Sequence, residues 1–223
     1  MKYHFVSALF LFFCSAVSAE NVINVSGKGQ VSVVPDQLQF SIYIEEKGPS
    51  TDKLNAILEQ KSELVASLLK KYGVEAKDVQ SLRVQLSPWM ERQDNHLQQQ
   101  GFVLSRQLKV TLRDLANYGK VIDGLLKIGP GRIDNFQYMS SDHASLYDRA
   151  LTLAVENASK KAKLLASAGQ VTISGVQSIN EVSGYSAPAE MVRFKAMDSA
   201  GGYLPGEMQI KADVQVTFTI ASD

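Results

Sequence analysis

Five alanines, Ala150, Ala154, Ala158, Ala162 and Ala166, recur every four residues through one unbroken stretch. Residues four apart share one side of an α-helix, so the spacing predicts a helix over about residues 142–168 with a narrow stripe almost free of side-chain bulk. At 1.5 Å per residue such a helix is of order 40 Å long. Alanine is also the best helix former, and that alone would allow it on any face. The other faces instead hold Glu156, Lys160, Lys161 and Lys163, so the stripe is read as a close-packing surface. It demands a sheet or a second helix that lets the axis approach closely. A turn takes 3.6 residues, so a stripe of period four winds slowly and can match a twisted partner.

Strand patterns supply candidates for that partner. Leu38, Phe40, Ile42 and Ile44 alternate with Gln39, Ser41, Tyr43 and Glu45, the period of a strand with one buried face. Residues 23–33 alternate too, with Gly27 and Gly29 on the apolar side, where glycine permits a bulge or a close backbone approach. Pro35-Asp36 is expected to turn that strand into the next. The clearest strand is the last, in which Met208, Ile210, Ala212, Val214, Val216, Phe218 and Ile220 alternate with polar residues. Further strands are expected near 82–86, 102–112, 133–138 and 176–182. A helix is expected over residues 50–72, started by Ser50 or Thr51 and closed by Gly73, and a shorter one is capped by Asp114 and stopped by Gly129-Pro130-Gly131. Glu91 to Gln100 is polar and reads as an exposed hairpin loop. Gly184 to Pro205 has no clear period.

The resulting order is β-β-α-β-β-α-β-α-β-β. It predicts an α+β fold, a mostly antiparallel sheet with helices packed on it. Arg106 falls on the apolar side of its strand. Either a bulge turns it outward or it is paired, since an unpaired buried guanidinium is costly.

The first residues read as a targeting segment. Lys2 is followed by an apolar run from Phe5 to Phe13 and by the small residues Ala16 to Ala19. That is the layout of a signal peptide over residues 1–19, with cleavage expected after Ala19 and a single domain over 20–223. Its apolar core is too short to span a bilayer stably, and no later run is long enough. Cys14, the one cysteine, lies inside the segment, so the mature chain would have no disulfide and no thiol nucleophile. The chain carries 23 basic and 23 acidic residues. Loss of Lys2 leaves a net charge near −1, which gives no footprint for nucleic acid.

Reactive constellations are scarce. Gly27 and Gly29 do not complete a dinucleotide fingerprint, because no third glycine and no helix start follow. His96 and His143 are too few and too far apart for a zinc site, and no G-x-S-x-G elbow is present. Asp36, Asp114 and Asp142 are read as turn and cap residues. No catalytic, cofactor-binding or metal-binding residue is therefore assigned, and no enzyme activity or cofactor is expected. Two weaker ideas attach to named residues. Met90, Met191, Met197 and Met208 could be oxidised sacrificially, although methionine also fills gaps in packing. Arg106, Arg113 or Arg132 could meet an anion, although surface solvation or a structural pair is the preferred reading of each.

In order along the chain, "SGKGQVSVVPD", "GVEAKDVQSLRVQLSP", "VTLRDLANYGKVIDGLL", "ALTLAVENASKKAKLLASAGQ" and "LPGEMQIKADVQVTFTI" resemble the SIMPL-domain family, in its bacterial periplasmic branch. "WMERQDNHLQQQGFVLSR", after Pro88, departs from the usual pattern. The resemblance implies an exported α+β protein located in the periplasm, a link to oxidative stress, and ring-like or channel-like homo-oligomers. It implies no catalytic residue. The alternative is a small-molecule or anion-binding stress module with weak enzymatic activity. Interaction with an envelope partner is a third possibility that the sequence does not separate.

Overall fold

The computed structural model describes residues 21–93, 96–182, 191–192 and 206–221. The segment expected as a signal peptide, with Cys14, lies outside them, as do Met197 and most of Gly184 to Pro205. The elements are β1 (Val22–Val33), β2 (Gln37–Gly48), α1 (Thr51–Lys71), β3 (Val79–Gln93), β4 (His96–Leu112), α2 (Tyr118–Ile128), β5 (Arg132–Met139), α3 (His143–Ala168), β6 (Thr172–Glu181), β7 (Met191–Val192) and β8 (Glu207–Ala221). The fold is α+β, with the expected order of strands and helices except that the two-residue β7 is added between the last two expected strands.

The strands form two antiparallel sheets, one ordered β1-β8-β6 with β7 also on β8, the other ordered β3-β4-β2-β5. β1 and β2 therefore do not pair with each other. Pro35-Asp36 carries the chain from one sheet to the other, which corrects its reading as a turn between neighbouring strands. A second correction concerns Glu91 to Gln100. Its described residues are strand, because β3 and β4 stay paired out to Gln93 opposite His96. Cross-strand pairing prevails over a composition that reads as loop.

Each sheet has its own core. Leu38, Phe40, Ile42 and Ile44 of β2 lie under Leu54, Leu58, Val65 and Leu69 of α1 and Val121 and Leu125 of α2. The second cluster holds Val25, Val31, Val214, Val216 and Phe218 together with the alanine stripe of α3. The two clusters share no member, and every extensive packing contact lies within one half. Asp36 ties the two chain crossings together. Its carboxylate accepts from the Ser141 backbone N–H at 2.8 Å and from the Ser141 hydroxyl. Its own N–H donates to the Met139 carbonyl at 3.1 Å.

The stripe meets the glycines. A Cβ placed on Gly29 would lie 1.8 Å from the Ala150 carbonyl oxygen, and one on Gly27 would lie 2.0 Å from that of Ala154. Helix backbone therefore rests directly on strand backbone. The glycine hydrogens that stand in for Cβ point at those carbonyls, the arrangement of a weak Cα–H···O contact. Ala150, Ala154, Ala158 and Ala162 are fully buried there. Beside the stripe, Asn157 Oδ1 accepts from the Lys28 N–H at 3.2 Å, and Lys161 Nζ donates to the Ser26 carbonyl at 2.7 Å. Ser26 and Lys28 sit on the outer side of β1, so α3 also blunts part of an open sheet edge.

Candidate functional site

Two surfaces of the β3-β4-β2-β5 sheet stand out once its core is filled. The first is the helix side of its outer strand. α1 covers β2 and β4 but leaves β3 open, and Val84 and Leu86 lie about half exposed opposite Arg106 and Leu104. At the start of β3 an open groove of about 740 Å³ is lined by Ala66 and Lys70 of α1 and by Val74, Ala76 and Val79 among others. β2 ends at Gly48 opposite Phe102. Beyond that point β3 and β4 continue as a two-stranded arm, with exposed Met90 and Leu97 near its tip. A hairpin of two strands is marginal alone in water, and exposed apolar residues on a long strand edge invite pairing.

The second surface is the opposite face of the same sheet. Two adjoining hollows of about 270 Å³ each meet at Gln107. One is lined by Tyr43, Arg83, Gln85, Ser105 and Arg132, the other by Ser41, Leu82, Lys109, Asn135 and Gln137 among others. Ser41 is buried in the lining of the second hollow, and its hydroxyl accepts from Gln107 Nε2 at 3.5 Å and Asn135 Nδ2 at 3.4 Å. Asn135 has φ of +56°, beside a register shift between Gln39 and Ser41. Asparagine is among the few residues that adopt this left-handed conformation readily.

The residues singled out in the sequence fall into place as structural groups. Arg106 is paired, not bulged outward: it donates to both carboxylate oxygens of Glu59 at 2.6 and 2.9 Å and to the Ser62 hydroxyl at 3.2 Å. Arg113 donates to both oxygens of Asp78 at 2.7 Å. Arg132 forms an ion pair through Nε with Asp134 at 2.8 Å and lies 4.0 Å from the Tyr43 ring centre. Asp114 caps the single 3-10 turn Leu115–Asn117 that leads into α2, accepting from the Ala116 N–H at 3.0 Å, while Asn117, the N-cap of α2 itself, makes no side-chain capping bond. Asp142 occupies the N-cap position of α3, but its side chain makes no capping bond. His96 lies on the arm, and His143 stacks on Tyr147 at the start of α3. No cluster of three or more metal-ligating side chains occurs among the described residues. Met208 is buried in the core, so it is not an exposed scavenger.

Asp78 is buried while Arg113 is half exposed. The hydrogen bonds from Arg113 hold the Asp78 carboxyl below the usual carboxylate range, and the same pairing raises the guanidinium. A carboxyl whose folded pKa is depressed stabilises the fold above its unfolded value, about 3.9, and that contribution is lost as pH falls through the lower folded value. Glu59 is shifted in the same sense by its hydrogen bonds from Arg106. Urea midpoints of the intact protein are expected to drop on acidification below about pH 4. Asp78→Asn should be less stable at neutral pH and show a shallower drop. Parallel pH profiles for the two proteins would contradict this.

Sequence reading singled out none of Arg83, Ser41, Gln107 and Asn135. Their signal was present in the polar halves of the alternating strands, which look like an ordinary solvated face until the sheet shows hollows there.

Comparison with known proteins gives a consistent picture over almost the whole chain. The family model SIMPL, described as a protein of unknown function (DUF541), matches residues 23–218, and so spans both sheets. The 26 kDa periplasmic immunogenic protein of Brucella melitensis is 27% identical over 210 residues, covering 89% of this chain and 84% of the relative. The uncharacterized protein YggE of Escherichia coli K12 is 29% identical over 181 residues, covering 80% of this chain and 72% of the relative. The YggE of Edwardsiella ictaluri is 26% identical over 177 residues, covering 78% and 74%.

Proposed function

Because the chain belongs to the SIMPL family, we propose that it is a non-enzymatic periplasmic protein that works as a homo-oligomer and contributes to oxidative or envelope stress defence. The observation that carries the reading is the uncovered β3 surface with its projecting arm. A second copy of the chain would bury the Val84–Leu86 row and give the arm a neighbour, which an isolated two-stranded ribbon needs. Near-neutral charge permits copies to approach without strong self-repulsion. The Brucella relative is named as periplasmic, and no helix among the described residues is long and apolar enough to cross a membrane.

The test is the mass in solution of protein lacking residues 1–19, by light scattering coupled to gel filtration at micromolar concentration. A multiple of the chain mass is expected, and Val84→Glu with Leu86→Glu should shift it towards one copy while far-ultraviolet dichroism stays unchanged. A strict monomer for the unaltered chain would overturn the reading.

A second reading, an anion-binding stress module, rests on one specific observation. Arg106 and Arg113 are committed to Glu59 and Asp78, but the terminal nitrogens of Arg132 have no partner among the described residues, and Arg132 lines a hollow together with Arg83.

A further inference from the structure

We propose that the outer face of the β3-β4-β2-β5 sheet binds a small organic carboxylate, with Arg83 and Arg132 holding the carboxylate and Gln107 at the centre of the site. The proposal deepens the anion-binding reading and is independent of assembly, which uses the other face.

Arg83 forms no ion pair among the described residues, although it lines the same hollow as Arg132. The Arg132 guanidinium is fixed from two sides, by Asp134 at Nε and by the Tyr43 ring beneath it. A guanidinium held in this way loses little freedom when its terminal nitrogens meet a planar carboxylate, and the two N–H groups match two oxygens. Arg83, Arg132 and Lys109 outnumber Asp134 and Glu45, the acidic groups on this face of β2 and β5. The balance favours an anion.

The polar groups around the cations are only loosely occupied. The amides of Gln107 and Asn135 reach Ser41 at 3.5 and 3.4 Å, at the long end for hydrogen bonds, so turning either towards a ligand sacrifices little. Asp134 Oδ1 is buried without a partner. An orphaned buried carboxylate oxygen is costly unless a water or ligand donor meets it. Asp134 lines neither hollow itself, but it pairs with Arg132 and lies opposite Ser41, so a hydroxyl on a ligand seated against Arg132 would be the donor for it. The two hollows together are of the size of small-molecule sites, and their lining of amides and hydroxyls suits a compact polar metabolite more than an apolar one. Backbone irregularity concentrates at the same point, where Asn135 is left-handed and the β2–β5 register shifts. Such features gather at binding sites.

The test titrates protein lacking residues 1–19 with malate, succinate and citrate by calorimetry, with inorganic phosphate as a comparator. Saturable binding of at least one carboxylate is expected, tightest where a hydroxyl accompanies it. Arg83→Gln and Arg132→Gln should each weaken it tenfold or more. Arg83 is exposed and unpaired, so Arg83→Gln should keep the thermal midpoint of the parent. Backbone amide shifts at Gln107 and Asn135 in nuclear magnetic resonance spectra should follow the titration. Phosphate binding through the same arginines with no carboxylate binding would overturn the carboxylate assignment and leave the anion reading standing. No saturable binding of any probe would overturn both, and carboxylate binding unaffected by Arg83→Gln and Arg132→Gln would overturn the site assigned here.

Discussion

Gly29→Ala is expected to lower the unfolding free energy by about 3–5 kcal/mol, at or beyond the upper end for overpacked cores. The added carbon would sit 1.8 Å from the Ala150 carbonyl oxygen and 2.6 Å from the Ala154 nitrogen. Both are helix backbone, so no rotamer change makes room. α3 must lift from β1, and the contacts of its alanine stripe with Val25, Val214 and Val216 loosen with it. The prediction is sharpened by a contrast. On Gly124 of α2 an added carbon would also be crowded, 2.6 Å from a Leu68 methyl, but that neighbour is the far end of a side chain. Gly124→Ala should therefore be rescued by Leu68→Ala, whereas Gly29→Ala should not be rescued by Ala154→Gly. Gly119→Ala, with nothing within 4 Å and an exposed helical site, should instead stabilise by about 0.5–1 kcal/mol. Urea denaturation of the parent, the three single variants and the two double variants measures all of this. A Gly29→Ala loss below about 1 kcal/mol, the middle of ordinary substitutions, would mean that helix and strand are not in backbone contact.

The sequence carried much of this packing in plain view, because small residues are informative when they repeat. A stripe of five alanines needs a partner without side chains, and Gly27 and Gly29 are two such residues at strand spacing on an apolar face. Each half of the lock was legible, but their meeting was not. They are more than a hundred residues apart, and nothing local says which sheet a helix will cover. The same gap explains Pro35-Asp36. A proline and an aspartate between two alternating segments look alike whether the strands pair or part, and only the pairing of β1 with the distant β8 decides it. Charged residues were harder still. The position of Arg106 on an apolar face left a bulge or a partner as the two outcomes, and Glu59 supplies the partner from α1. Arg83 gave no such sign, since an arginine on a polar face is ordinary until two hollows open beside it.

The base of the β3–β4 arm gives the second large effect. Gly101 is buried where the arm leaves the sheet, and a carbon added to it would lie 2.4 Å from the Gly48 carbonyl oxygen and 3.0 Å from the Pro49 Cα. Those atoms end β2 and lead into α1, so the clash again falls on backbone. Gly101→Ala should cost about 2–3 kcal/mol. That is less than the loss expected at Gly29, because the arm can swing outward while the core beneath Phe40 and Leu58 stays filled. If copies of the chain meet through the arm, the same change should also shift the solution mass towards one copy at protein concentrations where the fold remains intact by dichroism. Leu97→Ser separates the two effects. Its side chain is 64% exposed near the tip, so it should leave stability within about 0.5 kcal/mol and still weaken assembly. Gly101→Ala with lowered stability but an unchanged mass would move the contact off the arm and onto the Val84–Leu86 row, because the swing displaces the tip and leaves that row in place. Unchanged stability would show that Gly48 and Gly101 do not touch, and the arm would then have no fixed root.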